Sequence, residues 1–200
     1  MNRARIALLI AVSLLSLGAV AGCSTATEPT PPPPAASQSV SGDAEAILSA
    51  QGLSGKSPRE VIEALDQDPS ARPLSLMASV RYDEVMLDDG TTEATLPLDG
   101  DEFYISVAPY ENRTHDCYFH SLGTCQGELT NTDVHITVVS EDGETLVDED
   151  ATTYTNGFVG FWVPKDVKGT VTVTKDGKTG EVAFSSDPEG ATCITTLQLI

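Results

Sequence analysis

Four turn dipeptides, Asp89-Gly90, Asp142-Gly143, Asn156-Gly157 and Asp176-Gly177, punctuate this chain beyond residue 76. Between them lie short runs in which apolar and polar residues alternate, the pattern of half-buried strands joined by tight turns. The runs fall at 84–87, 92–96, 103–108, 134–139, 145–147, 158–163, 170–174, 181–184 and 193–199. No helix of crossover length separates them, so a doubly wound sheet is excluded and antiparallel pairing is expected throughout. The predicted fold is mainly β, an antiparallel β-sandwich-like domain over 76–200 with a short helical N-terminal extension over 43–75.

That extension reads as two helices. Residues 43–51 place Ala46, Ile47 and Ala50 on one side and stop at Gly52. The second helix has Ser57 as N-cap, Pro58 at its first position and Glu60 closing a capping box. Val61, Ile62 and Leu65 form its apolar stripe, and Asp68-Pro69 ends it. The pattern leaves two surfaces open to these helices: the main body, or a second copy in a homodimer.

The N-terminus predicts a compartment. Arg3 and Arg5 precede an apolar run over 6–20, the layout of a secretory signal over 1–22. It ends in Val20-Ala21-Gly22-Cys23, which resembles the bacterial lipobox and implies that Cys23 becomes an acylated (palmitate-bearing) N-terminus. Three acyl chains carry enough methylene to hold a protein on a membrane. Residues 23–42, rich in Ser, Thr, Ala and Pro and containing Pro31 to Pro34, then read as a tether. The chain carries 30 acidic against 11 basic residues, which argues against nucleic acid and against a polybasic hold on lipid. No acidic run has the spacing of a calcium loop.

Chemistry concentrates at 114–125, where His115, Cys117, His120 and Cys125 fall together in a long irregular connection. Such a loop can turn several donors to one point, which a flat strand cannot. Cys193 is in phase with Thr195, Leu197 and Leu199, so its thiol is expected on the core side of the last strand. Sulfur and imidazole suit copper, zinc or an iron–sulfur centre better than calcium or magnesium. If Cys23 is lipidated, three cysteines remain, an odd number in an oxidising compartment. Spacing alone fits two arrangements: one disulfide with a spare buried thiol, or a thiolate metal site assisted by His115 or His120. Each histidine also fits a polar loop residue bonded to backbone.

Other signals are weaker. His135 alternates against Val134, Ile136 and Val138 and reads as a surface histidine. Met77 and Met86 offer thioethers, but isolated methionines in apolar runs read as core fillers. Trp162 with Phe158 and Phe161 reads as core packing. Asn112-Arg113-Thr114 matches the glycosylation tripeptide, which a bacterial lipobox makes idle. No serine elbow, phosphate loop or paired metalloprotease histidines appear, so nothing supports a hydrolase.

Longer segments carry a resemblance. Ala108-Pro109-Tyr110, Thr114-His115-Asp116-Cys117, and the run from His120 through Cys125 to Gly127-Glu128-Leu129 resemble the signature of the CueP family, copper-binding proteins of the bacterial cell envelope. The likeness continues through Asn156-Gly157-Phe158-Val159-Gly160-Phe161-Trp162-Val163-Pro164 and ends in Ala191-Thr192-Cys193. It implies copper as the bound ion, a site built from Cys117, Cys125 and Cys193, a role in copper tolerance, and reduction of Cu(II) to Cu(I). It also implies a copper-acceptor protein or a thiol reductant as partner. The family includes soluble periplasmic proteins, so the lipobox and the tether depart from it. Two alternatives to this reading are a disulfide-stapled sandwich acting as an interaction module without metal, and a zinc site of three cysteines and one histidine.

Overall fold

The computed structural model describes residues 41–200; the signal segment, Cys23 and nearly all of the tether lie outside the described residues. Helix α1 (Gly42–Ala50) starts where the Ser41 side chain accepts the Ala44 N–H, and the chain leaves it through Gly52 at φ +70°. Helix α2 (Pro58–Asp66) has the predicted capping box, in which Ser57 and Glu60 satisfy each other's backbone N–H groups. Its last turn is closed by Arg72, whose guanidinium donates to the carbonyls of Leu65, Asp66, Asp68 and Ser70.

Ten strands follow. The first three, β1 (Met77–Val80), β2 (Glu84–Asp88) and β3 (Glu93–Pro97), form an antiparallel sheet in that order. Both helices lie against it, so Ile47, Leu48, Val61 and Ile62 share one core with Ala78, Val80, Val85, Leu87 and Leu96. The helices thus pack on the main body of their own chain. The opposite face of that sheet is open, and there Met77 and Met86 stand 40% and 46% exposed. Their expected role as core filler therefore fails: Ala78, Val80, Val85 and Leu87 take the inward positions, and the methionines alternate outward.

The remaining strands are β4 (Glu102–Val107), β5 (Asp133–Ser140), β6 (Thr145–Thr152), β7 (Val159–Pro164), β8 (Lys168–Lys175), β9 (Lys178–Ser185) and β10 (Cys193–Ile194). They make a three-stranded sheet ordered β10-β4-β7 and a four-stranded sheet ordered β6-β5-β8-β9. Phe103, Ile105 and Phe161 of the first share a core with Ile136, Val138, Val171 and Val173 of the second. Each such side chain contributes about 1.5–3 kcal/mol by leaving water. The fold is mainly β, as the alternating runs predict. On the outer face His135 lies between Asp148 and Asp150.

One pairing differs from expectation. β10 runs parallel to β4 and lasts two residues rather than continuing to 199. Beyond Ile194 the chain pairs with the 110 region instead: Leu199 N–H donates to the Tyr110 carbonyl at 2.8 Å. The side-chain phase nevertheless holds, and Cys193, Thr195, Leu197 and Leu199 are all buried.

The turn before β7 meets the long connection after β4. Gly127 N–H donates to the Asn156 carbonyl at 2.6 Å, and a Cβ on Gly157 (φ +80°) would lie 2.6 Å from the Gly127 carbonyl oxygen. Only glycine admits that crossing. Gly157→Ala is therefore expected to cost about 1–3 kcal/mol in denaturant unfolding. Gly143→Ala, at φ +84° with nothing within 4 Å, should cost clearly less. Equal losses at the two positions would contradict the tight crossing.

Candidate metal centre

The connection between β4 and β5 is irregular but firmly held. Glu128 accepts backbone N–H groups from Glu111 and Asn112 at 2.7 and 2.9 Å, and these bonds lower its pKa to about 2. Further along, Val80 N–H donates to the His120 carbonyl, His120 N–H donates to Thr192 Oγ1, and Cys193 N–H donates to the Tyr118 carbonyl. The segment carrying Cys117, His120 and Cys125 is thus stitched to β1 on one side and to the start of β10 on the other. That placement brings Cys193 to the loop cysteines across a large sequence separation.

The three sulfurs converge. Cys117 Sγ and Cys125 Sγ are 3.5 Å apart, well beyond the disulfide length of about 2.05 Å. No disulfide joins the three cysteines, of which Cys125 and Cys193 are buried and Cys117 is half-buried. A ligand atom of His115 lies within 4.8 Å of the Cys117 and Cys125 sulfurs, and one of His120 within 4.8 Å of those of Cys125 and Cys193. The five residues singled out from the sequence thus fall into two triads that share the Cys125 sulfur. A cavity of about 620 Å³ opens over Cys117, Cys125 and His115, with Cys193 and His120 outside its lining. Phe158 packs beneath, its ring 4.6 Å from the His120 ring and 6.2 Å from that of His115.

The two histidines are not equivalent. His115 faces the cavity and is half-buried. His120 is fully buried, and its Nε2 lies 2.9 Å from Asp66 Oδ1. Its Nδ1 is buried with no hydrogen-bond partner, on a ring that lies beside two sulfurs. An orphaned imidazole nitrogen there is the kind of group a soft metal ion would satisfy.

Asp66 was missed by sequence reasoning. It too is fully buried, and it accepts hydrogen bonds from Tyr104 Oη at 2.7 Å, Ser106 Oγ at 2.9 Å and Asn156 Nδ2 at 2.7 Å. A carboxylate at the C-terminal end of a helix opposes the helix dipole, so its presence there asks for a compensating cation. The available signal was its position: four residues after Ile62, Asp66 falls on the buried stripe of α2. Gly160 admits the arrangement, since a Cβ there would lie 1.8 Å from Tyr104 Oη.

The charges sort the donors. Burial presses His120 toward its neutral form, but the Asp66 carboxylate outweighs burial and raises its pKa to about 9. Burial likewise opposes the Asp66 charge, and His120 with the three other donors holds its pKa below the ordinary value. Among the sulfurs, Cys125 is held as thiolate by hydrogen bonds from the Cys117 and Cys193 thiols, against its burial and with help from His120. The Ser121 N–H also donates to Cys125 Sγ at 3.4 Å. Donation to Cys125 pushes Cys117 up to about 11, and donation to the other two sulfurs together with burial raises Cys193 as well. A soft cation entering this cluster meets one thiolate, with two thiols and the His120 imidazole able to join it by releasing their protons to solvent.

Residues 60–198 match the family described as periplasmic copper-binding protein CueP. The crystal structure of S.CueP is similar to this chain at 40% sequence identity and a TM-score of 0.77, covering 81% of this chain and 100% of that one. Among curated proteins none matches the chain.

The ion pair predicts how reduced, metal-free protein responds to pH. His120 has a raised pKa, so its contribution is complete below the ordinary value of 6.5 and is lost as pH rises through about 9. Asp66 has a lowered pKa, so its contribution is complete above the ordinary 3.8 and is lost on acidification below it. In Cys125→Ser, where no thiolate gains over the same range, melting temperature should therefore fall between pH 6.5 and 9.5, and adding Asp66→Asn should flatten that limb while costing about 3–5 kcal/mol near pH 6. An unchanged alkaline limb on adding Asp66→Asn would show that the pair does not govern it.

Proposed function

The chain belongs to the CueP family of periplasmic copper-binding proteins, and on that premise we propose that it holds Cu(I) on Cys117, Cys125 and Cys193. The observation that carries this reading is a pair of soft-donor triads, His115-Cys117-Cys125 and His120-Cys125-Cys193, that share the Cys125 sulfur, with the unpartnered His120 Nδ1 in the second. Cu(I) accepts two or three thiolates in linear or trigonal geometry and tolerates a site with few hard donors. Zinc would take the same sulfurs with one histidine, and the family match is what favours copper.

His115 stands at the open side of the cluster, where an imidazole can receive Cu(II) before sulfur does. Two Cu(II) ions each accept one electron while two thiols join as a disulfide and release two protons to solvent, and the three sulfurs hold Cu(I) again only once that disulfide is reduced. The closest pair, Cys117 and Cys125, is the natural couple for that bond. Repetition requires an external thiol to reduce the disulfide again, and Cys117, half-buried at the cavity, is the sulfur such a thiol would reach first.

Attachment to the membrane is the second part of the proposal. The lipobox ending at Cys23 and the proline-rich tether of 23–42 support acylation of Cys23 ahead of a copper-binding body. Among the described residues no helix is long and apolar enough to cross a membrane. A domain division at residues 23, 43 and 76 belongs to the same proposal.

Reduced protein should bind about one Cu(I) against a strong chelator, and Cys117→Ser, Cys125→Ser and Cys193→Ser should each weaken binding at least tenfold. Normal binding in Cys193→Ser would leave only the loop pair as ligand. Cu(II) added anaerobically should lose its paramagnetic signal as two thiols disappear per protein, more slowly in His115→Ala. A persistent Cu(II) signal would remove the reductive step and leave sequestration.

Cys23→Ala should move the chain from the membrane fraction to the soluble fraction with its melting temperature unchanged. Continued membrane association of that variant would exclude the acyl anchor.

A further inference from the structure

Beside the cysteine cavity, the outer face of the first sheet carries two sulfurs that the cysteine site does not use. β1 pairs with β2 so that Met86 lies opposite Ser79 and Met77 opposite Asp88. The two methionines are therefore diagonal neighbours on one face, about 7–8 Å apart along the sheet and within reach of two long flexible side chains. Both are exposed, so neither is explained by packing. Both line one groove of about 530 Å³ together with Asp88, Glu93, Arg81 and Ser121.

We propose that Met77 and Met86 form a second, thioether site for Cu(I) in this groove; the proposal rests on the copper-handling reading above. Thioether sulfur has no proton to lose and forms no disulfide, so it keeps a soft-metal site open in an oxidising compartment where thiols close. It favours Cu(I) and offers little to Cu(II) or zinc. The carboxylates of Asp88 and Glu93, paired across the β2–β3 edge, offset the charge of a monovalent cation bound nearby.

Position links this site to the first. Ser79 of β1 forms a bridge with Ser121, and Ser121 lines both the methionine groove and the cysteine cavity. The same serine N–H donates to Cys125 Sγ. Arg81, which lines the groove, donates to Ser79 Oγ at 2.6 Å and stacks 3.8 Å over the ring of Phe119, which lines the cysteine cavity. Thiolates bind Cu(I) more tightly than thioethers, so an ion taken up by the methionines has a downhill exchange toward the cysteines.

The test uses the full chain carrying Cys117→Ser, Cys125→Ser and Cys193→Ser, labelled with 13C at the methionine methyls and titrated with Ag(I), a redox-inert stand-in for Cu(I). The methyl signals of Met77 and Met86 should shift together and saturate at one equivalent. Met86→Leu should weaken the Met77 response at least tenfold. Should the triple variant not fold, wild-type protein already loaded with one equivalent of Cu(I) should show the same concerted shift when the second equivalent is added. Independent shifts of the two methyls, or shifts that do not saturate at one equivalent, overturn the site. A flat methionine response with the cysteine equivalent intact overturns this site alone, whereas loss of the cysteine equivalent with a concerted methionine response strikes only the cysteine reading.

Discussion

A buried ion pair holds the copper-binding end of this protein together. Asp66 and His120 are both sealed from water, and a buried carboxylate in such a place is tolerable only when its lone pairs are satisfied. Asp66 meets that condition with Tyr104, Ser106 and Asn156, which come from β4 and from the turn before β7. One carboxylate thus ties the end of α2 to the second sheet and to the loop that carries His120. Removing either partner would leave an uncompensated charge in the core, so helix, sheet and loop are obliged to form as one unit.

The pair also sets the chemistry above it. Because Asp66 occupies Nε2, the imidazole presents its other edge toward the sulfurs, and its charge favours thiolate at Cys125 over its neighbours. Cys117 and Cys193 then act as donors to that thiolate, which explains how three sulfurs crowd together without three negative charges. The loop stays in place through backbone bonds to Val80, Thr192 and Tyr118 and through the Gly127–Gly157 crossing, where two backbones touch with no side chain between them.

Much of this was legible in the residues. Alternation and the Asp/Asn-Gly turns locate the strands from 84 onward, because strand periodicity and positive-φ turns are local properties. Ser57, Pro58 and Glu60 announce α2 for the same reason. The donor cluster could be read because its loop residues lie within a dozen positions of each other, and the phase of Cys193 was readable from alternation along 193–199. Where local pattern misled, a neighbour decided otherwise. The methionines turned outward because the register of β1 and β2 gave the inner face to Ala78, Val80, Val85 and Leu87. The last strand shortened because β4 offers β10 a parallel edge for only two residues.

The sequence alone determined which segments are helix and strand, which residues carry soft donor atoms, and that the family likeness points to copper; all of these are written in short windows of chain. Only the tertiary structure decided that Asp66, far upstream, is the partner of His120, and that His115 faces solvent while His120 faces the core. It also decided that Cys193 meets Cys117 and Cys125, and that Met77 and Met86 share a groove next to them. Each of these depends on which elements pack side by side, and packing is fixed by the burial of surfaces distant in sequence, a property no single window contains.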